Sequence, residues 1–328
     1  MRWNSARNFM ENCLFTDIET SFDKTVAHVA PEQGIDPICS TSHWIVPVAN
    51  SFSGQALHRV FRSRAGYVAL IEHETPNGPV LSSFDAVWGF ATPFIGVDPT
   101  ALVLDVADLL PRLDFYALTV SGLDPISPLF DEVQQLGPAG FTDTADRCIA
   151  DLSDGFGPWI DRRSTRFRRS LRAAANRCES AGITIETLRP TVEEVTQVFD
   201  RLLAVEKTSW KTDVASGLVD TDLGVFTLAM AHSFADVGAL RVQFARLDGT
   251  DVGYVIGARL DDRYRGFQHS FNQNFPELSI GKLLQFHTIA ALANEGVTIY
   301  DMGMHMAYKV SYADRIESTV TAIIPKRS

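Results

Sequence analysis

RYRGFQHSFNQNFPELSIGKLLQFHTIAALANEGVTIYDMG, residues 263–303, contains the change of period on which the fold turns. Arg263–Phe271 alternates as a strand does. Gly281–Asn294 then carries Leu283, Leu284, Ile289, Ala290 and Ala293 at helical spacing and stops at Gly296, after which Val297–Met302 reads as an apolar strand. A strand, a crossover helix and a second strand predict two parallel neighbours joined by a right-handed connection. Ligands of such units bind beyond the carboxyl ends of the strands, where the helix opens with free N–H groups and the positive end of its dipole.

The segment Pro276–Leu283 stands at that place. Gly281 permits close backbone approach, Ser279 offers a hydroxyl and Lys282 a point charge, so the stretch reads either as a pyrophosphate cradle or as a capped helix start with a solvated lysine. Asp301 and Gly303 end the second strand on the same rim, and His269 and Asn272 end the first. Alternation puts His269 on one face with Phe267 and Phe271, which favours a packed, hydrogen-bonded histidine over a base. Beyond the second strand, Tyr308 and Tyr312 bring two phenols and Lys309 an amine toward the rim, each either a catalytic group or a structural contact.

Upstream, Leu240–Arg246, Val252–Leu260 and Arg263–Phe271 form a three-strand meander with turns at Asp248-Gly249 and Asp261-Asp262. Thr191–Glu194 is a capping box that opens a helix with Val195, Val198, Phe199 and Leu202 on one stripe, after a strand at Ile183–Leu188. Glu206 continues the stripe and Trp210 follows at the same spacing. Glu206 is therefore either a desolvated carboxylate suited to proton transfer or a solvated residue at a frayed end. Before these, Arg162, Arg163, Arg166, Arg168, Arg169, Arg172 and Arg177 fall within 16 residues without an acid, on a helix capped by Ser164. They form either a phosphate-binding surface or a solvated face paired with the acidic first half.

That acidity is local. Residues 1–150 hold 8 Lys+Arg against 18 Asp+Glu, whereas residues 151–328 hold 21 against 22, within a net charge of −11. The overall charge weighs against duplex nucleic acid as a general ligand. With 328 residues, 45% of them apolar, the chain is expected to form two domains with real cores, divided near Asp154–Pro158. In the first half, strands are expected at His58–Ser63, Tyr67–Glu72, Val80–Trp88 and Asp114–Val120 and a helix at Pro99–Leu110, with no motif of nameable chemistry. No run of about 18 apolar residues offers a membrane span, and Met1–Asn8 lacks the features of a secretory leader, so a cytoplasmic location is expected. Cys13, Cys39, Cys148 and Cys178 form no metal-ligand spacing and read as reduced thiols, and no metal is expected.

Taken in order, Arg166–Arg172, Glu206–Lys211, His269–Asn272, Ser279–Leu284, Tyr300–Gly303 and Tyr308–Lys309 resemble the GNAT acyltransferase superfamily. Within it they are most similar to the two-domain branch described as cellulose-biosynthesis acetyltransferases, related to the Fem-type aminoacyl transferases. The resemblance implies an α/β fold of mixed sheets in tandem GNAT-like domains with a cleft between them: a degenerate domain over 1–155 and an acyltransferase domain over 156–328. It implies acyl-CoA, in particular acetyl-CoA, held by Ser279, Gly281, Lys282 and Leu283, and direct attack by the amine of a small-molecule acceptor. Glu206 or Asp301 would be the base and Tyr308 the acid, with Trp210, Lys211, His269, Asn272 and Lys309 against the acceptor. The phosphate loop departs from the superfamily's usual pattern by keeping only Gly281 clearly in place. A Fem-like donor, aminoacyl-tRNA lying on the arginine helix, and an inactive GNAT-like binding module are the alternatives.

Overall fold

The computed structural model describes residues 10–13, 34–54, 56–84, 88–96, 98–142, 144–211 and 217–326. The start of the chain and residues 85–87 of the expected strand Val80–Trp88 lie outside them, and of Cys13 only the backbone is described. In chain order the first elements are β1 (Glu11–Cys13), α1 (Ser42–Phe52), β2 (Leu57–Arg62), β3 (Gly66–His73), β4 (Val80–Ser83), β5 (Phe94–Gly96), α2 (Pro99–Leu109), β6 (Ala117–Leu123), α3 (Pro128–Gln135) and β7 (Gly140–Phe141). There follow β8 (Ala145–Asp151), α4 (Phe156–Asp161), α5 (Thr165–Ser180), β9 (Thr184–Leu188), α6 (Val195–Glu206), α7 (Asp222–Asp236), β10 (Leu240–Leu247), β11 (Thr250–Leu260), β12 (Arg263–Phe271), α8 (Ile280–Asn294), β13 (Ile299–Met304) and β14 (Arg315–Pro325).

These elements form two compact units, Met1–Ala145 with Ser318–Ser328, and Asp146–Glu317. The turn Asp154–Pro158 therefore lies inside the second unit, after β8. In the first unit the sheet runs β1-β2-β3-β4-β6-β14, with β5 on β3 and β7 on β14. In the second it runs β8-β13-β12-β11-β10-β9. The layouts correspond. Each has an antiparallel meander, β2-β3-β4 or β10-β11-β12, then a helix, α2 or α8, then a strand parallel to the last of the meander, β6 or β13. An antiparallel strand covers the far side of each parallel strand, β14 beside β6 and β8 beside β13. The fold is thus mixed α/β with a repeated topology, although no repeat is legible in the residues.

Local chemistry accounts for the helix starts. Asp98 caps α2 and Pro99 occupies its first turn, Ser127 caps α3, Ser164 accepts the N–H of Phe167 at the start of α5, and the capping box at Thr191 precedes α6. The first core gathers Phe61, Leu70, Phe94, Val106, Leu118, Leu129 and Ile324. In the second unit Trp159, Tyr264, Ile289, Tyr300 and Tyr312 form one cluster, and Ile183, Val255, Ile280 and Leu284 another. Cys39, Cys148 and Cys178 are buried free thiols. No described helix is long and apolar enough to cross a membrane.

Candidate active site

The predicted parallel pair exists, and it is short. β12 and β13 are paired at Arg263↔Ile299, Tyr264↔Tyr300 and Arg265↔Asp301, and not beyond. The remaining residues of β12, Gly266–Phe271, and of β13, Met302–Met304, do not pair with each other. The groups that a continued ladder would use have local partners instead. Gly303 adopts a left-handed φ of 74° and its N–H donates to Asp301 Oδ1 at 2.7 Å. Lys309 Nζ donates to the carbonyls of Met302 at 2.7 Å and Met304 at 3.0 Å.

Asp301 is 6% exposed and lies between two guanidiniums, with Arg147 Nη1 at 2.7 Å and Arg265 Nη2 at 2.9 Å. Two cations and a backbone N–H occupy this carboxylate, which makes it an organiser of the strand end. Lys309, expected to meet substrate, spends its ammonium on carbonyls of its own chain. Desolvation lowers its pKa to about 8.

On the face of the sheet that carries α8, Gly281 is a packing residue. A Cβ there would meet the Phe271 ring at 2.7 Å and His269 Cε1 at 3.2 Å. His269 lies against the Tyr308 ring, 6.3 Å between centroids, and its Nε2 has neither solvent nor a hydrogen-bond partner. Burial, with Lys211 and Lys309 nearby, pushes its imidazole down to about 3, so it is neutral at physiological pH. The expected shared face with Phe267 is corrected by a bulge. Ile256 pairs with Gln268 and Gly257 with Gly266, which leaves Phe267 as the extra residue, and Phe267 stacks on Phe234 of α7.

The cradle residues are tied to α5. Ser279 has a left-handed backbone, and its Oγ accepts from Arg177, while Lys282 Nζ donates to Ser170 Oγ at 2.7 Å. Leu283 is a buried core residue. The N–H groups of Ile280 and Gly281, the first two of α8, have no intrahelical carbonyl to meet. Arg166, one turn before Ser170, and Arg169 are exposed. Arg162 and Arg163 pair with Asp314, and Arg168 with Asp161, so these members of the arginine run have their partners within the second unit. Asn272 serves the turn after β12, its Oδ1 accepting the N–H of Asn274 at 2.9 Å.

The opposite face holds a second polar group. α6 ends at Glu206, whose carboxylate is 1% exposed and accepts the Tyr254 hydroxyl at 2.5 Å. The Lys211 ammonium donates to Gln268 Oε1 and stands 3.5 Å from Glu206 Oε1. Burial lowers the Lys211 pKa, Glu206 opposing it, and burial beside Glu206 keeps the Tyr254 phenol protonated. Trp210, which follows the helix end, is 41% exposed. Tyr308 is 44% exposed, and the protein around its hydroxyl, followed by Cys148, lifts its pKa to about 12. Tyr312 is a core residue whose hydroxyl donates to the Lys282 carbonyl at 3.4 Å.

Sequence reasoning missed Arg147, Arg265, Tyr254 and Gln268. Arg265 had a weak signal, a cation between Tyr264 and Phe267 on a predicted strand, whereas Tyr254 and Gln268 acquire meaning only from the strand pairing. The pairing of β12 and β13 therefore stops between two polar groups, the start of α8 with Lys282 on Ser170 of α5 on one face and the Glu206 group on the other.

Residues 165–310 match the family model described as an acetyltransferase (GNAT) domain. No curated protein sequence matches the chain significantly. Among solved structures, the chain is similar to FemX at 10% identity and a TM-score of 0.65, over 95% of this chain and 97% of that one. L-PGS from Bacillus licheniformis shares 16% identity and a TM-score of 0.59 over 97% of this chain and 94% of its own. A conserved protein of unknown function from Bacteroides thetaiotaomicron shares 10% identity and a TM-score of 0.62 over 97% and 99%. The second unit thus contains a region matching the GNAT acetyltransferase domain, and the chain as a whole shares its fold with FemX and L-PGS.

Proposed function

We propose that the protein is an N-acyltransferase that moves an acyl group, in the first instance acetyl, from acyl-CoA to the amine of a small-molecule acceptor. The observation that carries this reading is the end of the β12–β13 pairing after Arg265↔Asp301, read here as an opening, beside the start of α8 and within the segment that matches the GNAT domain. The phosphates would lie against the Ile280 and Gly281 N–H groups with Lys282 and the exposed Arg166 and Arg169 near them. The thioester would sit between the strands, where main-chain groups of β12 can polarise its carbonyl. Attack by the amine forms the amide and expels the CoA thiolate. Of the two expected carboxylates, Glu206 is the base in this reading, since Asp301 shares its charge with two guanidiniums. Tyr308, half-exposed and protonated, supplies the proton to the thiolate.

The test is release of CoA thiol from acetyl-CoA in the presence of a panel of amines. Glu206→Gln should lower kcat by about 10²–10⁴-fold while leaving acyl-CoA affinity in place. A folded Glu206→Gln variant with the parent's kcat would remove the assignment.

The exposed arginines of α5 favour one second reading, transfer of an aminoacyl group from tRNA. The fold relatives FemX and L-PGS give it support. Thiol release without RNA separates the two.

A further inference from the structure

We infer that Lys309 is a wedge, a positioning residue that holds β12 and β13 apart by occupying the β13 carbonyls that would otherwise draw the strands together. The inference deepens the reading of the opening as the acyl-donor site, and rests on that reading for its functional consequence. Parallel strands three pairs into a ladder continue it unless something satisfies their main-chain groups. Here β13 is satisfied without β12. The Met302 and Met304 carbonyls accept from Lys309 Nζ, the Gly303 N–H goes to Asp301, and Met304 pairs with Arg147 of β8.

Gly303 completes the device. Its left-handed φ of 74° suits glycine, and a Cβ on it would come into ordinary contact with the Gly266 carbonyl of β12 at 3.6 Å and Lys309 Nζ at 4.0 Å. Asp301 is in turn fixed by Arg147 and Arg265. The spacing Asp301-Met302-Gly303 followed by Lys309 thereby acquires a mechanical meaning: the carboxylate takes the N–H, the glycine leaves space and the ammonium takes the carbonyls. Nothing in this arrangement requires Lys309 to touch the acceptor.

The test compares the full chain with Lys309→Met, which keeps length but donates no hydrogen bond, and Lys309→Arg, which keeps the donors. The wedge predicts slower amide exchange at Gly266–His269 and Met302–Met304 in Lys309→Met as the strands close, with acyl-CoA affinity weakened about tenfold and Lys309→Arg within about threefold of the parent. Unchanged or faster exchange in Lys309→Met overturns the proposal, because a merely structural lysine would loosen this region when lost. If Lys309→Met does not fold, exchange in the parent decides. The wedge requires the Gly266–His269 amides to exchange faster than those of Arg263–Arg265, and equal protection overturns it. If Lys309→Met shows slowed exchange but the parent binds no acyl-CoA, the donor reading fails while the wedge stands.

Discussion

Asp301 and Glu206 are both buried carboxylates, and their neighbours give them different work. Asp301 meets Arg147, Arg265 and the Gly303 N–H, a set that fixes a strand end. Glu206 meets the Tyr254 hydroxyl and the Lys211 ammonium, groups able to pass or hold a proton. Removing the carboxylate in Asp301→Ala leaves two buried guanidiniums around the space it filled, and should lower unfolding stability by about 3–5 kcal/mol in chemical denaturation. A loss below about 1 kcal/mol would mean that the cluster is solvated and organises little. The chemistry of Glu206 was half legible in the sequence. Its place on the α6 stripe indicated burial, but Tyr254 reaches it from β11 and Gln268 of β12 holds the neighbouring Lys211, at sequence distances no local pattern spans.

Among the elements, the meander and the crossover were legible because turn residues bound short apolar or alternating runs and the period changes sharply at Gly281. Arg263–Phe271 is bounded as alternation predicts. Its inner register is different: the bulge at Phe267 is set by pairing with β11, and it sends Phe267 toward α7 while His269 and Phe271 face α8. Val80–Trp88 was read as one long strand, whereas β4 ends at Ser83. The glycine of the expected phosphate loop has a cause of another kind in the packing. Gly281 stands at the start of α8 as expected, and the nearby Phe271 ring is enough to require it. Substitution there perturbs packing before it perturbs a phosphate, so Lys282 is the cleaner charge to reverse.

For the whole molecule, the chain crosses between units twice. β8 precedes the expected division at residue 155 and belongs to the second unit, where it pairs with β13 and brings Arg147 to Asp301. The last residues of β14 return to the first unit and pair with β6. A fragment 156–328 lacks the strand beside β13, whereas 146–317 keeps that sheet whole. The latter should melt cooperatively and the former should not, as read by thermal circular dichroism. Equal cooperativity in both would show that β8 is dispensable.

The corresponding parallel pair of the first unit also runs for three pairs, and side chains then bridge it. Beyond Ser82↔Thr119, the Ser121 N–H donates to Ser83 Oγ, the Ser121 hydroxyl donates to the Ala91 carbonyl, and Gly122 lies tight against Phe90. The proposed function puts one acyl-donor site on the chain, beside β12 and β13. Calorimetric titration of the full chain with acetyl-CoA, beside Lys282→Glu, tests this most directly. The account predicts saturable binding of one molecule per chain, clearly weakened in the variant. A folded parent that takes up no acetyl-CoA at millimolar concentration would contradict it.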